Sequence, residues 1–81
     1  MVEKKLMPVI KVLSELGEDL TVPRNIRLKI ETTIKALNEN TELSIRVNKA
    51  LHELDDISND SNIQSYTRTQ IWSVVSMLEK L

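Results

Sequence analysis

The sequence predicts an all-α protein, a four-helix up-and-down antiparallel bundle with short connections. Three observations carry this. The 81 residues include one Gly, two Pro and no Phe, with many Leu, Ile, Lys and Glu, a mixture that favours helices. Apolar residues recur at the three-and-four spacing of one helix face in four successive segments. The segments are separated by short polar connections, and helices of about 15 residues joined by tight turns can hide four apolar stripes only by packing antiparallel around one core. A chain of this length has room for one domain, residues 1–81, and buries only roughly 60% of its unfolded surface.

The first stripe comprises Val2, Leu6, Val9, Leu13 and Leu16, flanked by Ile10 and Leu20. Pro8 lacks a backbone donor, so the first helix either kinks or starts there; the expectation is a kinked helix from about Glu3 to Leu16, closed by Gly17 as a left-handed cap. After the acidic connection Glu18 to Thr21, Pro23 is expected as a first helical residue, where its missing N–H would be unpaired in any case. Ile26, Ile30, Ile34 (or Thr33) and Leu37 then predict a second helix from Pro23 to Asn38. The third stripe is Leu43, Val47, Ala50, Leu51, Leu54 and Ile57, with Thr41 or a neighbour as N-cap. Ser58 to Asn62 are residues that hydrogen-bond their own backbone in turns. From Thr67 onward, Ile71, Val74, Val75 and Leu78 predict the fourth helix. Arg68 and Trp72, four apart on that helix, are neighbours, which allows the guanidinium to lie on the indole. Arg27, Arg46 and Arg68 each stand near a helix start; spacings of 19 and 22 do not define a repeat, and a half-repeat of the helical-solenoid type is the minority alternative.

The segments LDDISND (54–60), TRTQIW (67–72) and VVSMLEKL (74–81), with VPRNIR (22–27) upstream, resemble uncharacterised protein family 0147, a group of short archaeal proteins. The resemblance covers essentially the whole chain. It implies an all-α helical bundle and carries no assigned activity. Prolines near Ser61 and Gln64 and a His near Tyr66 are common in that family, and this sequence departs at all three.

Composition narrows the function classes. A formal charge of −1 gives no global attraction to nucleic acid or anionic lipid. The absence of cysteine excludes disulfides, thiolate zinc sites and cysteine nucleophiles. No apolar run approaches the roughly 20 residues of a membrane span. The N-terminal segment resembles a signal peptide superficially, but Lys11 interrupts its apolar part and no small-residue cleavage site follows, so a cytoplasmic protein is expected.

An up-and-down bundle gathers the end of helix one, the start of helix two, the end of helix three and the start of helix four at one pole. That pole collects Glu15, Glu18, Asp19, Arg24, Asn25 and Arg27 from one connection, and Asp55, Asp56, Asn59, Asp60 and Arg68 from the other. The opposite pole carries Glu39, Glu42 and Arg46. Two readings of the first pole compete. In one, Arg27 pairs with Glu18 or Asp19, and Arg68 with Asp55, Asp56 or loop carbonyls. In the other, two helix N-termini with Arg24, Arg27 and Arg68 hold a phosphate.

Other constellations are weaker. His52 and Asp56 share a helix face at ligand spacing, but two ligands make no metal site. The Asp55, Asp56 and Asp60 cluster lacks the order and the glycine of a calcium loop. The hydroxyls of Ser58, Ser61, Ser65, Thr67 and Thr69 lack an adjacent base other than His52 or a carboxylate. Trp72 borders the core stripe and is expected half-buried, or as an interface anchor; Tyr66, six positions earlier, lies on another side of the helix. The expected function is therefore a non-enzymatic protein-interaction module or small subunit of a complex, without metal or cofactor. Its partner is another protein, or a second copy through helix four or helix one. The alternative is a nucleic-acid or ribonucleoprotein accessory that grips phosphate with Arg24, Arg27, Lys29 and Arg68.

Overall fold

A computed structural model describes residues 4–81. It contains a 3-10 turn at Lys4–Leu6 and four helices: α1 (Met7–Glu18), α2 (Arg24–Leu37), α3 (Leu43–Ser58) and α4 (Ser65–Glu79). No strand occurs among the described residues. Neighbours in sequence are neighbours in space, α2 packs most extensively on α3, and α1 meets α4 to close the ring. The helices alternate in direction. Lys29 near the start of α2 pairs with Asp56 near the end of α3, and Glu39 just beyond α2 pairs with Lys49 in the first half of α3. Met7 and Ile10 border a shallow cleft with Asn38, and Leu43 and Val47 border another with Leu78 and Leu81. The bundle measures 32 × 20 × 17 Å.

The helix ends differ in detail from the sequence expectation. Pro8 lies in the first turn of α1, where its missing N–H leaves no bond unmade, so the α-helix starts there and does not kink; Val2 and Glu3 lie outside the described residues. Gly17 is not a cap. It is an ordinary helical residue, no described residue has a positive φ, and α1 runs on to Glu18. The chain turns instead at Asp19, whose Oδ1 accepts from the Thr21 N–H at 2.9 Å and the Thr21 hydroxyl at 2.7 Å. Pro23 precedes the helix as its cap, with extended backbone and a carbonyl that accepts from the Ile26 and Arg27 amides. The N-cap of α3 is Glu42, the neighbour of Thr41, as the sequence allowed, and it too bonds only through its backbone carbonyl.

Leu6, Leu13, Ile26, Ile30, Leu37, Leu54, Ile57, Ile71 and Leu78 are fully buried; each contributes about 1.5–3 kcal/mol by leaving water. At the position left open between Thr33 and Ile34, Thr33 takes the core. Its hydroxyl donates to the Lys29 carbonyl at 2.9 Å, which satisfies the buried polar atom. Val22 and Ile63, both in connections, are buried as well.

The buried positions reveal an internal repeat, in which Arg27 and Arg68, 41 residues apart, form one matched pair and Arg46 stands outside it. Val9 and Ala50, Leu13 and Leu54, Leu16 and Ile57, Val22 and Ile63, Ile26 and Thr67, Ile30 and Ile71, Thr33 and Val74, and Leu37 and Leu78 are all buried, and each pair is separated by 41 residues. The first and last residues of α2, Arg24 and Leu37, map by the same shift to Ser65 and Leu78 in α4. The molecule is thus two helical hairpins of one register, each unable to hide its apolar face alone and each covering the other.

Candidate functional site

The repeat extends into the pole singled out by the sequence. Asp19 and Asp60 open the α1–α2 and α3–α4 connections with the same turn: the Asp60 Oδ1 accepts from the Asn62 N–H at 2.8 Å, as Asp19 does from Thr21. An apolar residue, Val22 or Ile63, then anchors each connection in the core. Eight residues after each aspartate comes an arginine that reaches back. Arg27 Nε donates to the Val22 carbonyl at 3.0 Å. Arg68 Nε donates to the Ser58 carbonyl at 3.1 Å, and its Nη2 to the Asp60 carbonyl at 2.9 Å.

Arg46 completes a set of three. Arg27, Arg46 and Arg68 are each the fourth residue of their helix, and each amide bonds the carbonyl of the preceding cap residue. Arg46, at the opposite pole, is buried; only 5% of its surface is accessible. Its Nη1 donates to the Leu37 carbonyl at 3.3 Å. The carbonyls at a helix end lack intrahelical partners, and a planar guanidinium can supply two donors in a fixed fork. At the first pole, Arg27 Nε and two nitrogens of Arg68, among the donors expected for a phosphate, are thus directed at carbonyls. Of the two readings, the carbonyl clamp describes Arg68. Arg27 clamps a carbonyl too, and meets Asp19 only through its field.

The remaining candidates scatter. Arg24 and Asn25 are exposed at the start of α2, and Asn59 is exposed at the end of α3. Asp56 pairs with Lys29 across the α2–α3 seam at 2.7 Å, so its partner is a lysine on another helix and not His52. His52 is exposed on a shallow α2–α3 groove with Lys49, Glu53 and Lys35. Among the described residues, no three His, Cys, Asp or Glu side chains converge as metal ligands.

Two ionisable groups at this pole are displaced from their ordinary behaviour. The Thr21 hydroxyl, followed by the Thr21 amide, holds the Asp19 carboxyl below the usual carboxylate range; desolvation opposes this, and the Arg27 charge adds the least. The Lys29 ammonium is held above the usual lysine range, chiefly by its hydrogen bond to Asp56; desolvation opposes this, and the charges of Asp56, Asp60 and Glu53 add to it.

Trp72 stands apart from these networks. It is 57% exposed, further out than the half-buried core role expected of it. The core side of α4 is filled by Thr67, Ile71, Val74 and Leu78, and a residue next in sequence to Ile71 is turned about 100° from it. Arg68, one turn earlier, directs its donors at the α3–α4 connection. Tyr66 is also exposed, and its hydroxyl accepts from Gln70 Nε2 at 3.0 Å beside a cleft bordered by Glu15 and Asp19. The signal that would have found the shared construction of the connections was present in the sequence: Asp19, Val22 and Arg27 recur as Asp60, Ile63 and Arg68.

Four antiparallel helices, with an arginine at the same place in three of them, define a small helical-bundle protein built as a tandem of hairpins. The chain belongs to UPF0147, an uncharacterised protein family whose model matches residues 1–81. It is 49% identical to a UPF0147 protein of Methanocaldococcus jannaschii over 98% of this chain and 86% of that one. It is 42% identical to one of Pyrococcus abyssi over 99% and 95% of the two chains. The crystal structure of a family member from Thermoplasma acidophilum superposes with a TM-score of 0.91 at 33% identity, covering 95% of this chain and 92% of that one. A second crystal structure, of a protein of unknown function, has a TM-score of 0.91 at 45% identity and covers 100% and 96%. No helix among the described residues is long and apolar enough to cross a membrane.

Proposed function

We propose that this chain is a non-enzymatic protein-interaction module, a small cytoplasmic subunit that offers the outer side of α4 to a protein partner. The observation that carries this reading is Trp72, 57% exposed in the middle of α4. Its neighbours on the outer side, Ser65, Thr69, Ser73 and Ser76, are exposed and uncharged. Interfaces are depleted in charge at their centres and enriched in tryptophan, which buries a large rigid surface for little conformational entropy. The phosphate-binding alternative draws less support, because Arg27 and Arg68 are engaged with backbone carbonyls and Lys29 with Asp56.

The test is a tagged pull-down from the native cell with wild type and Trp72→Ala, washed at low and high salt, with and without nuclease. Because Trp72 lies outside the core, the variant is expected to fold and to lose a partner that wild type retains through salt and nuclease. Equal recovery by both proteins overturns the role of Trp72. Recovery of RNA that vanishes with nuclease and on Arg24→Glu overturns the protein-partner reading, since phosphate contacts are salt-sensitive.

A further inference from the structure

The internal repeat supplies a control for the cleft between α1 and α2. Met7, Ile10 and Asn38 border that cleft together with Lys11; Lys4 stands one turn before Met7, and Lys35 one turn before Asn38. Shifted by 41 residues, Lys4, Lys11, Lys35 and Asn38 become Ile45, His52, Ser76 and Glu79 of the other hairpin, each exposed like its counterpart. Ile10 becomes Leu51, half-buried like it. The apolar floor is thus common to both hairpins, whereas the three lysines belong to one. Packing, which the repeat shares, does not call for them. Ion pairing does not call for them either: among the described residues no carboxylate pairs with Lys4, Lys11 or Lys35. Glu15 and Glu31, each four residues from one of these lysines, make no ion pair with it, and Glu39, next to Asn38, is turned to Lys49 on α3 at 2.8 Å. Met7, between Lys4 and Lys11, is 59% exposed, an apolar side chain left in water among cations.

We propose that the α1–α2 cleft receives an acidic amphipathic segment of a partner protein, whose apolar side chains cover Met7 and Ile10 while its carboxylates meet Lys4, Lys11 and Lys35. This surface lies on the first hairpin and goes beyond the reading that rests on Trp72. The cleft has a volume of about 340 Å3, at the small end of ligand sites, which suits the apolar stripe of a short helical segment. Charge and shape together select this occupant. A phosphate backbone would engage the lysines and leave Met7 and Ile10 without an apolar partner. A bilayer surface takes up side chains that protrude, whereas Ile10 lies half-buried against the core at the floor of a cleft. A segment that alternates apolar and acidic faces uses both features. Methionine, unbranched and polarizable, adapts to apolar side chains of differing shape. In a chain whose formal charge is −1, a local group of free lysines also draws in an acidic segment that the molecule as a whole would not attract.

The test is a titration of the full chain with a fluorescein-labelled peptide of about four helical turns, with Leu along one face and Glu and Ala elsewhere. The methionine methyl resonances are followed in parallel. Binding is expected to shift the Met7 methyl and not that of Met77 on α4, and to weaken as salt screens the lysines. Lys11→Glu combined with Lys35→Glu, both at exposed positions outside the core, is expected to weaken binding by about tenfold. The same peptide with Lys in place of Glu is then expected to prefer the double variant to wild type. Trp72→Ala is expected to leave binding unchanged, which separates this surface from the one on α4. No binding, binding that the double variant leaves intact, or equal binding of a peptide with Ser in place of Leu overturns the inference. Tighter binding of an RNA oligonucleotide or of phosphatidylglycerol vesicles through the same lysines overturns it in favour of nucleic acid or lipid.

Discussion

At the scale of the residue, the arginines at the fourth position of α2, α3 and α4 show how little of a charged side chain's role is set by charge. Arg68 holds two carbonyls, of Ser58 and Asp60, with two nitrogens of one plane. Replacing it by Met leaves both carbonyls without that donor and is expected to lower stability by about 1–3 kcal/mol, measured as a shift of the urea midpoint at constant slope. Arg68→Lys is expected to recover less than half of this, because an ammonium is a point donor that does not reproduce the fork. The sequence made Arg68 conspicuous and offered loop carbonyls among its partners. It also placed Arg46 near a helix start like Arg27 and Arg68, but gave no sign of its bonding, because the Leu37 carbonyl that Arg46 reaches lies on the preceding helix and leaves no mark on the side-chain pattern.

At the scale of the element, all four helices and their order were legible, since spacings such as Leu43, Val47, Ala50, Leu54 and Ile57 admit one face only. The ends were less so. Gly17 resembled a cap because glycine is common after a last turn, but the stop signal comes two residues later, from the Asp19 carboxylate turning the chain onto Thr21. Gly17 is therefore a replaceable residue within α1. A Cβ there would stand 3.6 Å from Ile30 Cγ2, an ordinary contact, and Gly17→Ala is expected to stabilise the protein by about 0.5–1 kcal/mol by restricting the unfolded chain. Thermal unfolding checks it; a loss of stability would show that α1 and α2 have no room for one methyl group. Trp72 was misjudged in depth: it borders the stripe in sequence, but lying about 100° round the helix from Ile71 it stands outside the core.

At the scale of the molecule, the repeat lay in plain sight and was missed because it resides in burial more than in identity: Val22 matches Ile63 and Thr33 matches Val74 in packing, not in name. The candidate site was legible as a gathering of residues, but not in its bonding, which depends on backbone carbonyls that no side-chain pattern records. The two displaced groups at that pole set opposite limits on pH. The folded Asp19 carboxyl titrates below its unfolded value, so its contribution is complete above the ordinary carboxylate range and is lost as the pH falls through that range. The folded Lys29 ammonium titrates above its unfolded value, so its contribution is complete below the ordinary lysine range and is lost as the pH rises through it. The urea midpoint is expected to be level from about pH 5 to 9 and to fall on either side. Thr21→Val, which removes the hydroxyl from Asp19, is expected to narrow the difference between neutral and acid midpoints, whereas an unchanged difference would assign the acid limb to other carboxylates.

The arginine bonds also bear on how the chain reaches this structure. Arg27 contacts a carbonyl five residues away, Arg46 one nine away, and Arg68 two that are eight and ten away. Each turn is tied by a residue of the helix that follows it, so closing it requires no contact with a distant part of the chain, and loops this short close in about 10–100 ns. A topology of this kind has low contact order. The turns thus bring each helix close to its successor, but because neither hairpin hides its apolar face alone, the core closes only when the two hairpins meet.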